Sequence, residues 1–217
     1  MHSFLFRFLI VAALLVIPSL ADAQFRAYGI KLGVESSSIS GNYAESDKHH
    51  LGFSGYIFGD YPINSTQSVE LNFGYSRRGF YRERVQPNTQ ALQSGSARAH
   101  STMDYLTFSS ILKLEYPRGA SRPFIGIGPK IDYLVRTEAG SFNFSDGTTV
   151  EDPSVTYLKE AVFGFTVSAG ITQLSLFGTR MRLSLNYQWD ITDALETRTE
   201  SAKINNFMLT AGLAFGS

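Results

Sequence analysis

The stretch MRLSLNYQWD, residues 181–190, decides the fold. Met181, Leu183, Leu185, Tyr187 and Trp189 are large and apolar, and Arg182, Ser184, Asn186, Gln188 and Asp190 between them are polar. Strict alternation is the signature of a strand with two unlike faces, since successive side chains point to opposite sides. Six other stretches share the pattern. Tyr28, Ile30, Leu32 and Val34 alternate with Gly29, Lys31 and Gly33; Val69, Leu71, Phe73 and Tyr75 with Glu70, Asn72 and Gly74. Leu106, Phe108, Leu112, Leu114 and Tyr116 alternate with Thr107, Ser109, Lys113 and Glu115; Ile125, Ile127, Ile131, Tyr133 and Val135 with Gly126, Gly128, Lys130 and Asp132. Phe163, Phe165 and Val167 alternate with Gly164, Thr166 and Ser168, and Phe207, Leu209, Ala211, Leu213 and Phe215 with Met208, Thr210, Gly212 and Ala214. An eighth stretch, Leu51 to Tyr61, is strand-like but carries aromatics and Gly on both faces, so its parity is open.

Eight such strands fit a barrel, and each is long enough to cross a bilayer when tilted. The polar face is rich in Gly and small residues, as suits the interior of a narrow barrel rather than the solvated face of a sandwich. The connections point the same way. Short ones (Pro62 to Thr66, Pro117 to Ser121, Ile171 to Gly178) alternate with long polar ones (Glu35 to His49, Tyr81 to Ser101, Thr137 to Thr156, Ile191 to Ala202). Outer-membrane barrels put short turns in the periplasm and long loops outside.

Ahead of the strands, His2 and Arg7 precede the apolar run Phe8 to Leu20, and Ala21-Asp22-Ala23 offers a small-x-small cleavage site. Residues 1–23 therefore read as a signal peptide and 24–217 as the barrel domain. The run is too short to stay as a spanning helix. Lys+Arg is 19 and Asp+Glu is 19, so no basic excess points to nucleic acid. With Cys at 0, thiolate metal sites, a Cys nucleophile and disulfides are excluded.

In order and spacing, the turn Tyr61-Pro62-Ile63, the strand entry Asp104-Tyr105-Leu106, the strand start Arg122-Pro123-Phe124-Ile125 to Gly128-Pro129, the small-residue strand Gly164 to Gly170 and the closure Asn206 to Phe215 resemble the PorT-like outer-membrane β-barrels of Bacteroidota. The resemblance spans the mature chain. It implies an all-β, eight-stranded antiparallel up-and-down barrel in the outer membrane of a Gram-negative bacterium, with no agreed catalytic residues. The expected partners are outer-membrane lipid and lipopolysaccharide, with the barrel-assembly machinery during insertion. The expected state is a monomer without cofactor, metal or nucleic acid, and the loop partner is unspecified.

Glu70, Arg78, Lys113, Glu115, Lys130, Asp132, Arg182 and Asp190 fall on the inward parity. Charges in so narrow a space must pair, which predicts an ion network that plugs the lumen. Lys113 and Glu115 are expected to reach Asp132 or Lys130 on the next strand, while inward Gly at 29, 33, 74, 126, 128, 164, 170 and 212 leaves room for a polar path. Tyr28, Tyr75, Tyr116, Tyr133, Tyr187, Trp189 and Phe215, near strand ends on the apolar parity, are the expected aromatic girdles. Two further groupings bear chemistry. His100-Ser101 with Asp104 contains the groups of a hydrolytic set, and His49-His50 with Asp47 those of a metal site. Each reads more simply as loop composition, so catalytic and metal residues are expected to be none. The leading function is a non-enzymatic membrane protein acting structurally or through its surface loops. The alternatives are a barrel holding a small or lipidic ligand, a narrow pore, and a lipid-modifying enzyme.

Overall fold

The computed structural model describes residues 25–41, 49–85, 96–116, 121–143, 149–151, 157–176, 179–196 and 201–216. The expected signal peptide, residues 1–23, lies outside them. Eight long strands make the barrel: β1 (Ala27–Gly41), β2 (His50–Pro62), β3 (Gln67–Val85), β4 (Ser96–Glu115), β5 (Pro123–Glu138), β8 (Ala161–Leu176), β9 (Thr179–Asp190) and β11 (Ser201–Phe215). Each pairs antiparallel with the next. Closure comes from β1 against β11, in register from Tyr28 opposite Phe215 to Gly41 opposite Ala202. Three short strands sit at the long-loop end: β6 (Ser141–Asn143) pairs with β7 (Thr149–Glu151), and β10 (Leu195–Glu196) with β11.

Alternation settles the faces. Leu32, Val34, Ile57, Phe73, Ile125, Leu185 and Leu209 are exposed on the outside, whereas Lys31, Glu35, Ser54, Asp60 and Asn72 are buried inside. A continuous apolar exterior around a polar interior is untenable in water and suited to lipid. The open parity of β2 is resolved: Ser54, Tyr56, Phe58 and Asp60 face in, while Phe53, Ile57 and Tyr61 face out.

The exterior aromatics form two rings. Tyr28 packs against Phe215 at 6.2 Å near the short turns, and Tyr61 and Tyr116 are exposed at the same end. Toward the long loops Phe53 meets Tyr75 at 5.7 Å, Phe165 meets Trp189 at 5.8 Å, Tyr187 meets Phe207 at 5.2 Å, and Tyr133 is exposed on the same outer face. Eight residues separate Phe215 from Phe207 on β11. That is about 27 Å along the strand, or about 20 Å along the axis at the usual tilt, close to the height of a membrane-spanning band.

The strands outrun this band. β3 and β4, 19 and 20 residues long, continue well above the outer ring, so much of the expected loop from Tyr81 to Ser101 is sheet. There the inward face turns apolar. Ile39, Phe80, Met103, Tyr105, Val162, Ala194, Ala202 and Ile204 form a cluster that caps the lumen, and Phe142 of β6 tucks in beside Ala99. At the opposite end the Asn64 turn is tied by its own side chain. Asn64 Oδ1 accepts from the N–H groups of Thr66 and Gln67 at 2.9 and 2.8 Å, the local bonding that lets Asn reverse a chain.

At most of the inward glycines the backbone or side chains of neighbouring strands come close to where a Cβ would stand. At Gly128, where β5 runs in unbroken register beside β4 from Ser109–Lys130 to Leu112–Ile127, a Cβ would collide with the Ser110 carbonyl oxygen. We predict that Gly128→Ala costs about 1–3 kcal/mol, the usual range for overpacking. Urea unfolding in lipid, followed by the fluorescence of the single Trp, Trp189, would show the lowered midpoint.

Candidate functional site in the barrel lumen

All eight charged residues expected inside are buried and face the lumen: Glu70, Arg78, Lys113, Glu115, Lys130, Asp132, Arg182 and Asp190. They divide into two layers. Near the short turns, Glu70 accepts from Lys31 at 2.5 Å, Lys113 at 3.1 Å and Arg182 at 2.8 Å. Asp60 Oδ2 meets Arg26 at 2.9 Å, Lys113 at 3.0 Å and Arg182 at 2.5 Å. Glu115 pairs with Arg26 and lies 3.6 Å from Lys113. Phe58 lies beneath the Arg182 guanidinium, 4.4 Å from ring centre to Cζ, so the cation rests on an aromatic face.

Toward the long loops, Arg78 makes a bidentate contact with Asp132 at 2.6 and 3.2 Å and reaches Gln188 at 2.9 Å. Lys130 bridges Asp132 and Asp190, the latter at 2.7 Å. Thr107 donates to Asp132 at 2.7 Å. Glu35 accepts from Ser76 at 2.8 Å and from the Asn206 amide. Tyr105 of the apolar cap stacks 5.2 Å from Arg78. Between the layers lie neutral groups, with Ser184 and Thr210 bonded at 2.6 Å and Ser168 donating to Asn186 at 2.7 Å. A cavity of about 10 Å³ remains there, edged by Tyr56, Asn72 and Thr166. That is the volume of about one water.

The expected meeting of Lys113 or Glu115 with Asp132 or Lys130 does not occur. Lys130 is opposite Ser109 and Asp132 opposite Thr107, whereas Lys113 is opposite Gly126 and Glu115 opposite Phe124. The offset places the pairs in different layers, so Lys130 is not joined to Glu70, Lys113 and Arg182. Four members of the network were missing from the sequence reading. Lys31 carries a visible signal, since it alternates with Ile30 and Leu32. Asp60 was hidden by the ambiguous parity of β2, Glu35 was assigned to a loop, and Arg26 precedes β1.

The His100, Ser101 and Asp104 grouping is taken apart by the strand. Ser101 is buried inside and its Oγ accepts from the Gly140 N–H at 3.2 Å. His100 is outside, stacked on His50 at 4.5 Å and on Tyr81 at 4.8 Å. Asp104 is held by Arg77 at 2.7 and 3.0 Å. The metal reading fares no better: His49 is exposed, His50 is buried in that stack, and Asp47 lies outside the described residues. Among the described residues no cluster of three or more His, Asp or Glu could hold a metal.

These features define a small transmembrane β-barrel with buried charged side chains on its inner face. The chain belongs to the outer membrane protein β-barrel domain family, whose sequence profile matches residues 21–196. No curated protein sequence matches it. Solved outer-membrane barrels are similar over most of its length. Ail of Yersinia pestis has 15% identity and a TM-score of 0.43, over 87% of this chain and 98% of that one. Neisserial surface protein A has 14% and 0.43, over 87% and 99%. OprG of Pseudomonas aeruginosa has 12% and 0.44, over 89% and 98%.

Two predictions follow from the charges and the histidines. Lys130 is 1% exposed, and its loss leaves Asp132 and Asp190 facing each other. Lys130→Met is expected to cost about 3–5 kcal/mol. Arg136→Met, at an ion pair with Glu138 in which both side chains are largely exposed, should stay within about 1 kcal/mol. Urea midpoints of the two variants in lipid measure the difference.

His50 and His100 lie beyond the outer aromatic ring. Burial pulls both below the ordinary 6.5, and for His50 the neighbouring His100 and Arg77 add to the effect. The folded state thus favours neutral rings. The stack's contribution is complete above pH 6.5 and fades as pH falls below it toward the lowered folded values. Protection factors at Gly79 to Tyr81, taken against the intrinsic exchange rate at each pH, should fall on acidification in the wild type and fall less in His100→Phe.

Proposed function

We propose that this outer-membrane barrel is a non-enzymatic frame whose lumen is plugged and whose work is done by the surface at its long-loop end. The observation that carries the reading is the filled interior: two ion-pair layers, a neutral polar layer and an apolar cap, with about 10 Å³ free between them. Such an interior favours a plug over a path for solute, and it is too small for a lipidic or small organic ligand. The separation of Ser101 from His100 speaks against lipid modification, which needs a nucleophile and a base together.

The aromatic rings support a reading in which lipid surrounds the band, with lipopolysaccharide the neighbour at the long-loop end. The short turns then face the periplasm, in keeping with export behind a cleaved signal peptide and insertion by the barrel-assembly machinery as a monomer. The finer kinship, to the PorT-like barrels of Bacteroidota, rests on the motifs from Tyr61-Pro62-Ile63 to the Asn206–Phe215 closure. The β6–β7 hairpin, packed through Phe142 on the β4 extension, supports a preformed loop surface for a partner.

The test is electrical. Purified protein in planar bilayers is expected to show no stable conductance steps, and proteoliposomes carrying it should not swell in small sugars. Steady ohmic channels would overturn the plug.

A further inference from the structure

We propose that the short-turn mouth of the barrel binds an oxyanion of the phosphate class, held by Arg180 and Arg182 with Arg26 behind them. This goes beyond the loop-centred reading and does not depend on it. The first observation is a charge imbalance. Among the described residues, the layer nearest the short turns sets four cations (Arg26, Lys31, Lys113, Arg182) against three carboxylates (Asp60, Glu70, Glu115). At its rim Arg122 stands 3.8 Å from Glu115, and exposed Arg180 donates to the Gly216 carbonyl at 2.7 Å. The loop-side layer has the opposite balance, Arg78 and Lys130 against Glu35, Asp132 and Asp190. Excess charge in a confined interior is costly unless a counter-charge meets it, so an anion is favoured at the short-turn end alone.

The second observation is an unmet donor. Arg182 is 5% exposed, and its two η nitrogens are committed to Glu70 and Asp60. Its Nε is buried with no hydrogen-bond partner. Arg182 lines a depression together with Arg26, Thr172, Gln173, Arg180 and Phe215. The enclosed part is about 10 Å³, room for a single oxygen-sized group, so the rest of the ligand lies at the opening beside Arg180. Guanidinium forks match phosphate oxygens in both geometry and charge. Phe215 belongs to the lipid-facing ring, so the opening lies where lumen and headgroups meet. The phosphate can thus come from free anion or from a phospholipid headgroup.

The probe is inorganic phosphate, titrated by calorimetry into the folded full chain in phosphate-free maltoside micelles. Native mass spectrometry after reconstitution in phosphatidylglycerol nanodiscs tests the headgroup source. Arg180→Met leaves the buried network intact and should weaken binding about tenfold, the factor expected for one charge-assisted contact. Gln173→Ala serves as the second variant if Arg180→Met fails to fold. Saturable phosphate binding, weakened by the variant and absent with chloride at matched ionic strength, supports a free-anion site. A retained phospholipid that the variant releases supports a headgroup site. Neither result, or an equal response to chloride, overturns the proposal.

Discussion

Everything in this molecule depends on the pairing of its first and last long strands. A sheet in lipid cannot leave an edge, because each unpaired N–H or C=O there is stranded without water. The β1–β11 ladder removes both edges the eight strands would otherwise have. Closure then forces two consequences. Every second side chain must meet lipid, which accounts for the unbroken outer face of Leu, Ile, Val and Phe. Every other side chain must fit a tube wide enough only for side chains.

The second consequence shapes the interior. Charged groups in that tube have little water to fall back on, so most are held by several partners. Asp60 Oδ2 serves three cations and Asp132 serves Arg78, Lys130 and Thr107. The partners come from strands far apart in sequence, so the network also locks the barrel's cross-section. Arg182 of β9 meets Asp60 of β2 and Glu70 of β3, and Arg78 of β3 meets Asp132 of β5 and Gln188 of β9. The layers carry opposite excess charge, one more cation below and one more carboxylate above, with neutral hydroxyls and amides between. The cap of Phe80, Met103, Tyr105 and Ile204 shields the upper layer from the loop end.

Most of this architecture was legible in the sequence where one rule acted alone. Alternation in 181–190 and its counterparts assigned seven strands and their faces, and the same parity named the eight inward charges. The aromatic rings followed as well, because lipid selects large apolar groups on one face only. Legibility failed where two rules competed. On β2, Tyr56 and Phe58 face inward, Phe58 as the ring beneath Lys31 and Arg182, so apolar character no longer marked the outside. Glu35 was lost because the strand continues past the membrane, where polar residues on the outer face look like a loop. The split into two layers depends on the β4–β5 register, which sets Lys130 opposite Ser109 and Lys113 opposite Gly126, and no local pattern encodes it. The cap was hidden for a related reason: beyond the lipid band, apolar residues such as Ile39 and Ile204 turn inward, reversing the rule that holds below. His100 and Ser101 are neighbours in sequence and strangers in space, which is the ordinary fate of adjacent residues on a strand.

The central claim is that the lumen is closed by its own side chains, and the chain's lack of cysteine makes that directly measurable. A single cysteine at Ser168, in the neutral layer between the ion-pair layers, can be compared with one at Thr137, exposed at the long-loop end. The measurement is the rate of modification by a small charged methanethiosulfonate in folded, membrane-embedded protein. Modification at position 137 within seconds to minutes, with position 168 protected until the barrel is unfolded, is the expected result. Comparable rates at the two positions would mean a water-filled lumen and would contradict the account.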